Sequence, residues 1–178
     1  MIGVRWHGRG GQGCFTVARL LGAAAVREGA FALAFPSFGP ERRGAPLTGH
    51  TRIDGKPIIE RSEVRAPDVV ALLDHTLFGP AVLAGVGPSG LVLVNAPEDA
   101  RLEVPTGFRV ERFDASALAL RILGRPIANT AVLGALVALT GYVRLESVAD
   151  AVSSELKPEL RASNLELLRF AYGEFGHA

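Results

Sequence analysis

Residues 2–29 read IGVRWHGRGGQGCFTVARLLGAAAVREG, and this stretch decides the fold. The run that ends at His7 predicts a short strand, and the glycine-rich segment Gly8–Gly13 predicts a tight turn. Apolar residues then recur at helical spacing from Phe15 to Ala25, and Gly29 stands where a glycine commonly follows a helix. The stretch is therefore predicted to fold as strand, turn and helix.

The turn satisfies the pattern G-x-G-x-x-G, with residues Gly8, Arg9, Gly10, Gly11, Gln12 and Gly13. A glycine-rich turn between a strand and a helix lets backbone N–H groups at the helix N-terminus approach an anion closely. Glycines would also be needed if the helix merely packed tightly on the strand. The residues alone leave both interpretations open.

A second apolar run, Phe31–Phe35, is followed by Pro36 and a loop rich in Gly, Pro and Arg. Domains that bind NAD place an acidic residue at the end of this strand for the ribose hydroxyls, and no acid stands there in this sequence. Arg42 and Arg43 are suited to the additional phosphate of NADP, so a stand-alone Rossmann-type NADP-binding oxidoreductase is an alternative function. A simpler alternative is that one of these arginines pairs with Glu41 in solvent.

Strand and helix patterns alternate along the rest of the chain. Near-continuous apolar runs at Asp68–Leu73 and Leu91–Val94 are typical of strands covered on both faces, whereas Phe108–Phe113 alternates as an edge strand does. Helical spacing recurs in five later segments, namely Leu77–Ala84, Ala115–Leu123, Asn129–Leu139, Leu145–Leu156 and Arg161–Tyr172.

One segment departs from this alternation. Thr48–Ile53 and Pro57–Ile59 are joined by Asp54-Gly55, a dipeptide that favours a two-residue hairpin turn. The chain is therefore predicted to be an α/β protein with three layers, α/β/α, and a largely parallel Rossmann-like sheet that carries a β-hairpin insertion. We expect residues 1–178 to form a single domain.

Composition excludes several function classes. The chain has 19 basic and 18 acidic residues, so no net field attracts nucleic acid or an anionic membrane. No apolar stretch approaches the ~18 residues that a membrane span needs, and the first residues lack the features of a signal peptide. The single cysteine, Cys14, allows no internal disulfide and no iron–sulfur cluster held by this chain alone. We therefore expect a cytoplasmic protein.

Several ordered motifs resemble the gamma subunit of the 2-oxoacid:ferredoxin oxidoreductases, in the pyruvate/ketoisovalerate oxidoreductase family. The two most specific are the Gly-Gly-Gln-Gly turn at 10–13 and the loop Gly-Pro-Glu-Arg-Arg-Gly-Ala-Pro at 39–46. The resemblance spans essentially the whole chain and includes Thr51–Ile53, Pro67–Asp68, Val94–Asn95, Asn129, Leu133–Ala135, Lys157–Pro158 and Asn164. Cys14 departs from the small aliphatic residue that the family often has there.

The resemblance implies a subunit of an enzyme such as pyruvate synthase, which oxidatively decarboxylates a 2-oxoacid to an acyl-coenzyme A and reduces ferredoxin. It also implies thiamine diphosphate and iron–sulfur clusters on partner subunits of the alpha, beta and delta type. This chain has no Gly-Asp-Gly signature for thiamine diphosphate, and no catalytic residue is assigned to it.

What remains for this chain is assembly of the complex and part of a coenzyme A site. We expect the amides of Gly8–Gly13 to face the pyrophosphate, and Arg42 and Arg43, beside Gly44, to face the 3′-phosphate. An alternative for the arginine loop is a subunit contact, because Arg beside aromatic residues and Pro is typical of interface anchors.

Other polar residues are assigned structural roles. The four histidines, His7, His50, His75 and His177, show no metal-ligand spacing. Cys14 is expected to pack in the core, and Asp114 and Asn129 to act as helix N-caps.

Two features leave room for a contact with a partner protein. Asn164 lies within a helical pattern, where a partner contact is one explanation for it. The apolar run Val132–Leu139 is either a buried helix or a surface that a partner covers.

Overall fold

The computed structural model describes residues 1–37 and 44–176 and confirms the α/β class. Within these residues one sheet contains six strands, β1 (Ile2–Arg9), β2 (Phe31–Pro36), β3 (Pro46–Asp54), β4 (Val69–Leu72), β5 (Leu91–Asn95) and β6 (Arg109–Phe113). The described helices are α1 (Cys14–Arg27), α2 (Pro80–Leu83), α3 (Ala115–Leu123), α4 (Asn129–Thr140), α5 (Leu145–Glu155) and α6 (Pro158–Phe175).

The strands follow the order β2-β3-β1-β4-β5-β6. β1, β4, β5 and β6 are parallel neighbours, whereas β3 lies antiparallel between β1 and β2. The sheet is therefore mixed, and its parallel half begins at β1. Because β1 leads directly into the glycine turn, the N-terminus of α1 stands at the carboxyl edge of this parallel half.

The predicted hairpin is wrong in its second strand. The antiparallel insertion exists, but residues 57–59 form no strand and Ile59 is 90% exposed. Gly55 also lacks the positive φ that the expected turn requires. The physical reason is that both edges of β3 are already paired, since Ile53 lies opposite Ile2 on β1 and opposite Ala32 on β2. No edge remains for a further strand.

The two faces of the sheet are covered unequally. α1, α3, α4, α5 and α6 belong to one hydrophobic cluster that covers Val4 and Trp6 of β1. The short helix α2 and the connections around it cover Val70 and Val92 on the opposite face. The predicted three layers are present, and the second helical layer is thin.

α4 settles the two alternatives for the apolar run Val132–Leu139. The apolar side chains of residues 131–137 are at most 1% exposed and residues 138–139 are half-buried, so this run is the buried part of a core helix. Its contact with α6 is close, because a Cβ added at Gly134 would meet the backbone carbonyl oxygen of Leu168 at 2.5 Å.

Two predictions about helix ends, at Gly29 and Asp114, are confirmed. Gly29 follows α1 with φ +85°, and the N–H groups of Gly29 and Ala30 donate to the carbonyls of Val26 and Ala25, a Schellman motif. Asp114 caps α3 by accepting the Ala117 N–H at 2.7 Å.

The other two helix predictions need correction. Asn129 is not the N-cap of α4, because Ala128 occupies that position and Asn129 is the first helical residue. The predicted helix at 77–84 is a 3₁₀ turn at His75–Leu77 followed by α2, because Gly79 is extended and Pro80 restarts the helix.

Candidate functional site

The first half of the glycine turn is structural. A Cβ on Gly8 would meet the Cys14 Sγ at 2.5 Å, so a side chain there would separate β1 from α1. The N–H of Gly10 donates to the Ala45 carbonyl, and the Gly10 carbonyl accepts the Gly44 N–H. Gly8 and Gly10 thus fit the alternative of close packing, and Gly44 closes the turn.

The second half of the turn opens toward solvent. Gly11 and Gly13 have φ values of +95° and +82°, a backbone conformation that L side chains rarely adopt. Gly13 is the N-cap residue of α1, and no side chain caps that helix within the described residues. The first-turn N–H groups of α1 therefore have no intrahelical partner and remain available to a ligand.

Arg9 and Gln12 hold the turn in shape. The Gln12 Oε1 accepts the Arg9 N–H at 2.7 Å, and the Gln12 Nε2 donates to the Asp74 Oδ2 at 3.2 Å. The Arg9 Nε donates to the same carboxylate at 3.0 Å. Burial opposes ionisation of Asp74, but hydrogen bonds from Thr76, Gln12 and Arg9 hold its pKa below the usual range. The Arg9 guanidinium is thus engaged with Asp74 rather than directed to a ligand at the turn.

A cavity of about 560 Å³ adjoins the turn at Gly11–Gly13. Its wall includes Thr16 from α1, Thr130 from α4 and Glu159 from α6, so the N-terminal turns of three helices reach it. Ser163, from the second turn of α6, lines it as well. These helices have 14, 12 and 18 residues, and no side chain caps α1, α4 or α6 within the described residues. Each helix N-terminus contributes roughly half a positive charge, which Glu159 in the first turn of α6 offsets in part and Arg125 restores, so the cavity favours an anion.

Asn129 is the polar side chain closest to the turn. It is 8% exposed, and a Cβ added at Gly13 would overlap its amide nitrogen. The Asn129 Oδ1 accepts the Thr130 N–H at 2.8 Å, whereas the Asn129 Nδ2 has no hydrogen-bond partner among the described residues. An amide N–H₂ that lines the cavity and makes no hydrogen bond within the described residues is a donor available to a ligand.

The floor of the cavity is a chain of polar side chains. The Thr130 hydroxyl donates to the Asn164 Oδ1 at 2.8 Å, and the Asn164 Nδ2 donates to the Leu160 carbonyl at 2.8 Å. The side chain of Asn164 is therefore hydrogen-bonded to Thr130 and Leu160, and this pairing explains its place in a helix without a partner protein. Arg125 and Glu159 also line the cavity, so its lining carries one charge of each sign.

The sequence did not identify Arg125, Thr130 or Ser163 as site residues. The one local signal was the lack of a capping residue before α4 and before α6, where Ala128 and Lys157 stand at the N-cap positions. Nothing in the sequence pattern indicates that these two ends meet α1.

Arg42 and Arg43 lie outside the described residues, so their predicted role stays a prediction. Glu41 lies outside them as well. Gly44, the last residue of that prediction, is described and has φ +81°.

A larger and more open depression of about 840 Å³ lies at the ends of β5 and β6, away from the turn. Arg112 and Arg121 line it together with Glu98, Asp114 and Glu174, so charges of both signs offset one another. Arg112 already donates to the carbonyls of Ala100 and Glu98. The N-terminus of α3 beside this depression is capped by Asp114, whereas the cavity at the glycine turn adjoins the uncapped N-terminus of α1, which makes that cavity the better candidate for an anion.

Cys14 packs in the core as predicted. It is 1% exposed, and burial raises the pKa of its thiol to about 12. A thiol that stays protonated at neutral pH is a poor metal ligand or nucleophile. Among the described residues no three His, Cys, Asp or Glu side chains form a group that could hold a metal ion.

The sheet order bears on the NADP alternative. In a dinucleotide-binding domain the second strand lies beside the first, so that its end contacts the ribose next to the pyrophosphate. Here β3 separates β2 from β1. The end of β2 is thereby displaced by a full strand from the glycine turn.

Among the described residues, no helix is long and apolar enough to cross a membrane.

The comparisons with known proteins cover nearly the full length of the chain. The profile of the family described as pyruvate ferredoxin/flavodoxin oxidoreductase matches residues 3–174. The pyruvate/ketoisovalerate oxidoreductases common subunit gamma of Pyrococcus furiosus is 46% identical, over 97% of this chain and 96% of that protein.

Solved structures have the same fold. The crystal structure of pyruvate oxidoreductase subunit PORC from Thermotoga maritima matches with a TM-score of 0.84 and 36% identity, over 97% of this chain and 95% of that one. A 2-oxoglutarate:ferredoxin oxidoreductase from Magnetococcus marinus, solved with 2-oxoglutarate, coenzyme A and succinyl-CoA bound, matches with a TM-score of 0.79. That match covers 98% of this chain and 31% of the larger one at 19% identity, and it shows the fold alone.

Proposed function

The chain belongs to the pyruvate ferredoxin/flavodoxin oxidoreductase family, and from this premise we propose that it is the gamma subunit of a multi-subunit 2-oxoacid:ferredoxin oxidoreductase. Such an enzyme decarboxylates a 2-oxoacid such as pyruvate, transfers the acyl group to coenzyme A and passes two electrons to ferredoxin. The observation that carries this proposal is the 46% identity to a gamma subunit over nearly the whole of both chains. The stand-alone NADP enzyme gains no support from the relatives or from the sheet order.

The chemistry of this chain fits a division of labour. Its one thiol is buried and protonated, so its own residues do not fit an iron–sulfur cluster. We propose that the clusters and thiamine diphosphate are held by partner subunits of the alpha, beta and delta type. Ferredoxin would then be reduced on those partners, and the whole complex would work in the cytoplasm.

For this chain we propose a contact with coenzyme A at Gly11–Gly13. The diphosphate of coenzyme A is a dianion, and the cavity offers the N-terminal amides of α1 with Asn129 Nδ2 beside them. A volume of about 560 Å³ is within the range of ligand pockets. When coenzyme A is bound, its thiol accepts the acyl group.

The residues of this chain would bind and orient coenzyme A rather than react. Thr16 and Ser163 add hydroxyl donors to the cavity lining, and Arg125 adds a positive charge to it. Gly8, Arg9 and Gly10 act indirectly in this proposal, because they fix the turn.

The arginine loop is proposed to reach the 3′-phosphate of coenzyme A through Arg42 and Arg43. Replacing both by Ala in the assembled complex separates this role from a subunit contact. A raised KM for coenzyme A in an intact complex supports the ligand role, whereas dissociation of the complex supports the subunit contact.

The cavity is tested by Asn129→Asp in the assembled complex. This change keeps an oxygen that accepts the Thr130 N–H, and it places a negative charge beside the turn. We expect the KM for coenzyme A to rise about tenfold, the equivalent of ~1.4 kcal/mol, with the KM for the 2-oxoacid unchanged. The matched control is Ser154→Asp, which adds the same charge on the exposed side of α5, outside the cavity. Equal KM values for the two variants would contradict the contact.

The subunit assignment is tested by purification of the affinity-tagged full chain from its native cell. We expect larger, brown, cluster-bearing subunits to accompany it. Tight binding of NADPH by an active monomer, without companion subunits, would overturn the assignment.

A further inference from the structure

A second polar cavity lies on the opposite face of the sheet from α1. Side chains alternate along β1, so Val4 and Trp6 face α1 while Arg5 and His7 face the other side. There they line a cavity of about 190 Å³ together with Ser37, Thr48, His50 and Arg65. It shares no lining residue with the cavity at the glycine turn.

Arg5 brings a buried positive charge to this cavity. The residue is 9% exposed, and its Nη2 donates to the carbonyls of Val82 and Ala84 at 2.7 and 2.8 Å. Its Nη1 donates to the Val64 carbonyl at 3.3 Å. No carboxylate lies within salt-bridge distance of this guanidinium in the described part of the chain. Three backbone carbonyls accept from this charge directly, and the Glu63 carboxylate favours it from beyond salt-bridge distance.

The hydrogen bonds fix the tautomers of both histidines. The Arg5 Nε donates to the His7 Nε2 at 3.0 Å, so neutral His7 carries its proton on Nδ1. The Val64 N–H donates to the His50 Nδ1, so neutral His50 carries its proton on Nε2, 3.3 Å from the Ser37 Oγ. His7 is left with an N–H that has no partner among the described residues.

The electrostatic surroundings keep His7 neutral. Burial, followed by the charge of Arg5 and by His50, lowers the pKa of His7 to about 4. Burial likewise lowers the pKa of His50, with Glu63 opposing that change. Among the described residues Glu63 is the one carboxylate that lines the cavity, and its charge acts on Arg5 and His50. The side chains that line the cavity thus offer more hydrogen-bond donors than acceptors.

We propose that this cavity is a binding site for one small oxyanion, of the phosphate or carboxylate kind, which Arg5 attracts and which the His7 Nδ1–H and the hydroxyls of Ser37 and Thr48 contact. The volume supports a small ligand, because 190 Å³ is below the roughly 300 Å³ at which pockets for drug-sized molecules begin. The oxyanion is free in solution and is not an acidic side chain of another subunit.

Inorganic phosphate is the probe, titrated at pH 7 into the full chain at constant ionic strength, with chloride as the balancing ion. Ring NMR signals of the histidines report binding. We expect the signals of His7 and His50 to move along one saturable curve while those of His75 stay fixed. Bound phosphate should also raise the pKa of His7 by one to two pH units, because an adjacent negative charge favours the imidazolium.

Two variants keep the test independent of Arg5, which also ties three segments together. Arg65→Ala removes an exposed guanidinium at the cavity, and Arg101→Ala removes an exposed one elsewhere. We expect the first to weaken phosphate binding about tenfold and the second to leave it unchanged. Thr48→Val removes a hydroxyl donor and should weaken binding several-fold.

Three outcomes overturn the proposal. The first is the lack of a saturable response of His7 and His50 at tens of millimolar phosphate. The second is equal binding by Arg65→Ala and Arg101→Ala, which would indicate general charge screening. The third is binding by the isolated chain but not by the assembled complex, which would mean that a partner subunit fills the cavity.

Discussion

Replacing Gly13 by Ala tests whether the glycine turn and Asn129 form one unit. Gly11→Ala is the matched control, because both glycines have positive φ and each gains one methyl group. The left-handed conformation costs an L residue about 1–2 kcal/mol at either position. A Cβ at Gly11 would meet nothing within 4 Å, whereas one at Gly13 would overlap the Asn129 amide and add an overpacking cost of about 1–3 kcal/mol.

We therefore expect Gly11→Ala to lower the free energy of unfolding by about 1–2 kcal/mol and Gly13→Ala by about 2–5 kcal/mol. Urea unfolding of the full chain measures both values, together with Asn129→Ala and the double variant. In the Asn129→Ala background, the cost of Gly13→Ala should fall to that of Gly11→Ala, because the overlapping amide is gone. Additive effects in the double variant would refute the close contact.

Two further predictions concern packing and pH. Gly134→Ala should lower the free energy of unfolding by about 1–3 kcal/mol, because its Cβ would press on the Leu168 carbonyl. Gly173→Ala in α6, where the Cβ meets nothing within 4 Å, should raise it by about 0.5–1 kcal/mol. Urea unfolding that shifts both variants in the same direction would contradict this pair of predictions. The pKa of His7 is about 6.5 in the unfolded chain and about 4 in the folded one, so the unfolded state binds a proton first as the pH is lowered. The free energy of unfolding should therefore fall by up to about 3 kcal/mol between pH 6.5 and pH 4. Guanidinium unfolding at several pH values measures this change, and a constant free energy over the range would exclude the buried, neutral His7.

Local sequence patterns predicted the elements that local physics determines. Periodicity placed α1, α3, α4 and α5 within about two residues, because apolar residues recur at helical spacing along each of them. A glycine follows α1, α3 and α4 at their C-terminal ends. The Asp-Gly hairpin failed, because the pairing of β3 is decided by strands that are distant along the chain, namely β1 and β2. Local turn preference yielded to long-range pairing there.

The same distinction applies to the candidate site. The sequence identified Gly11–Gly13 from a local motif. It assigned Asn129 a capping role, because the role that the structure gives it depends on contact with Gly13 from another segment. The meeting of three helix N-termini is a tertiary feature, and no local pattern encodes it.

β1 serves two sites with opposite sets of side chains. Its last residues lead into the glycine turn on one face of the sheet, while Arg5 and His7 serve the small cavity on the other. A deletion or insertion of one residue before Gly8 would turn Trp6 toward the polar cavity and Arg5 into the apolar interior. Insertions and deletions in this strand are therefore expected to change its length by two residues at a time, because only such changes keep the side chains of both faces in place.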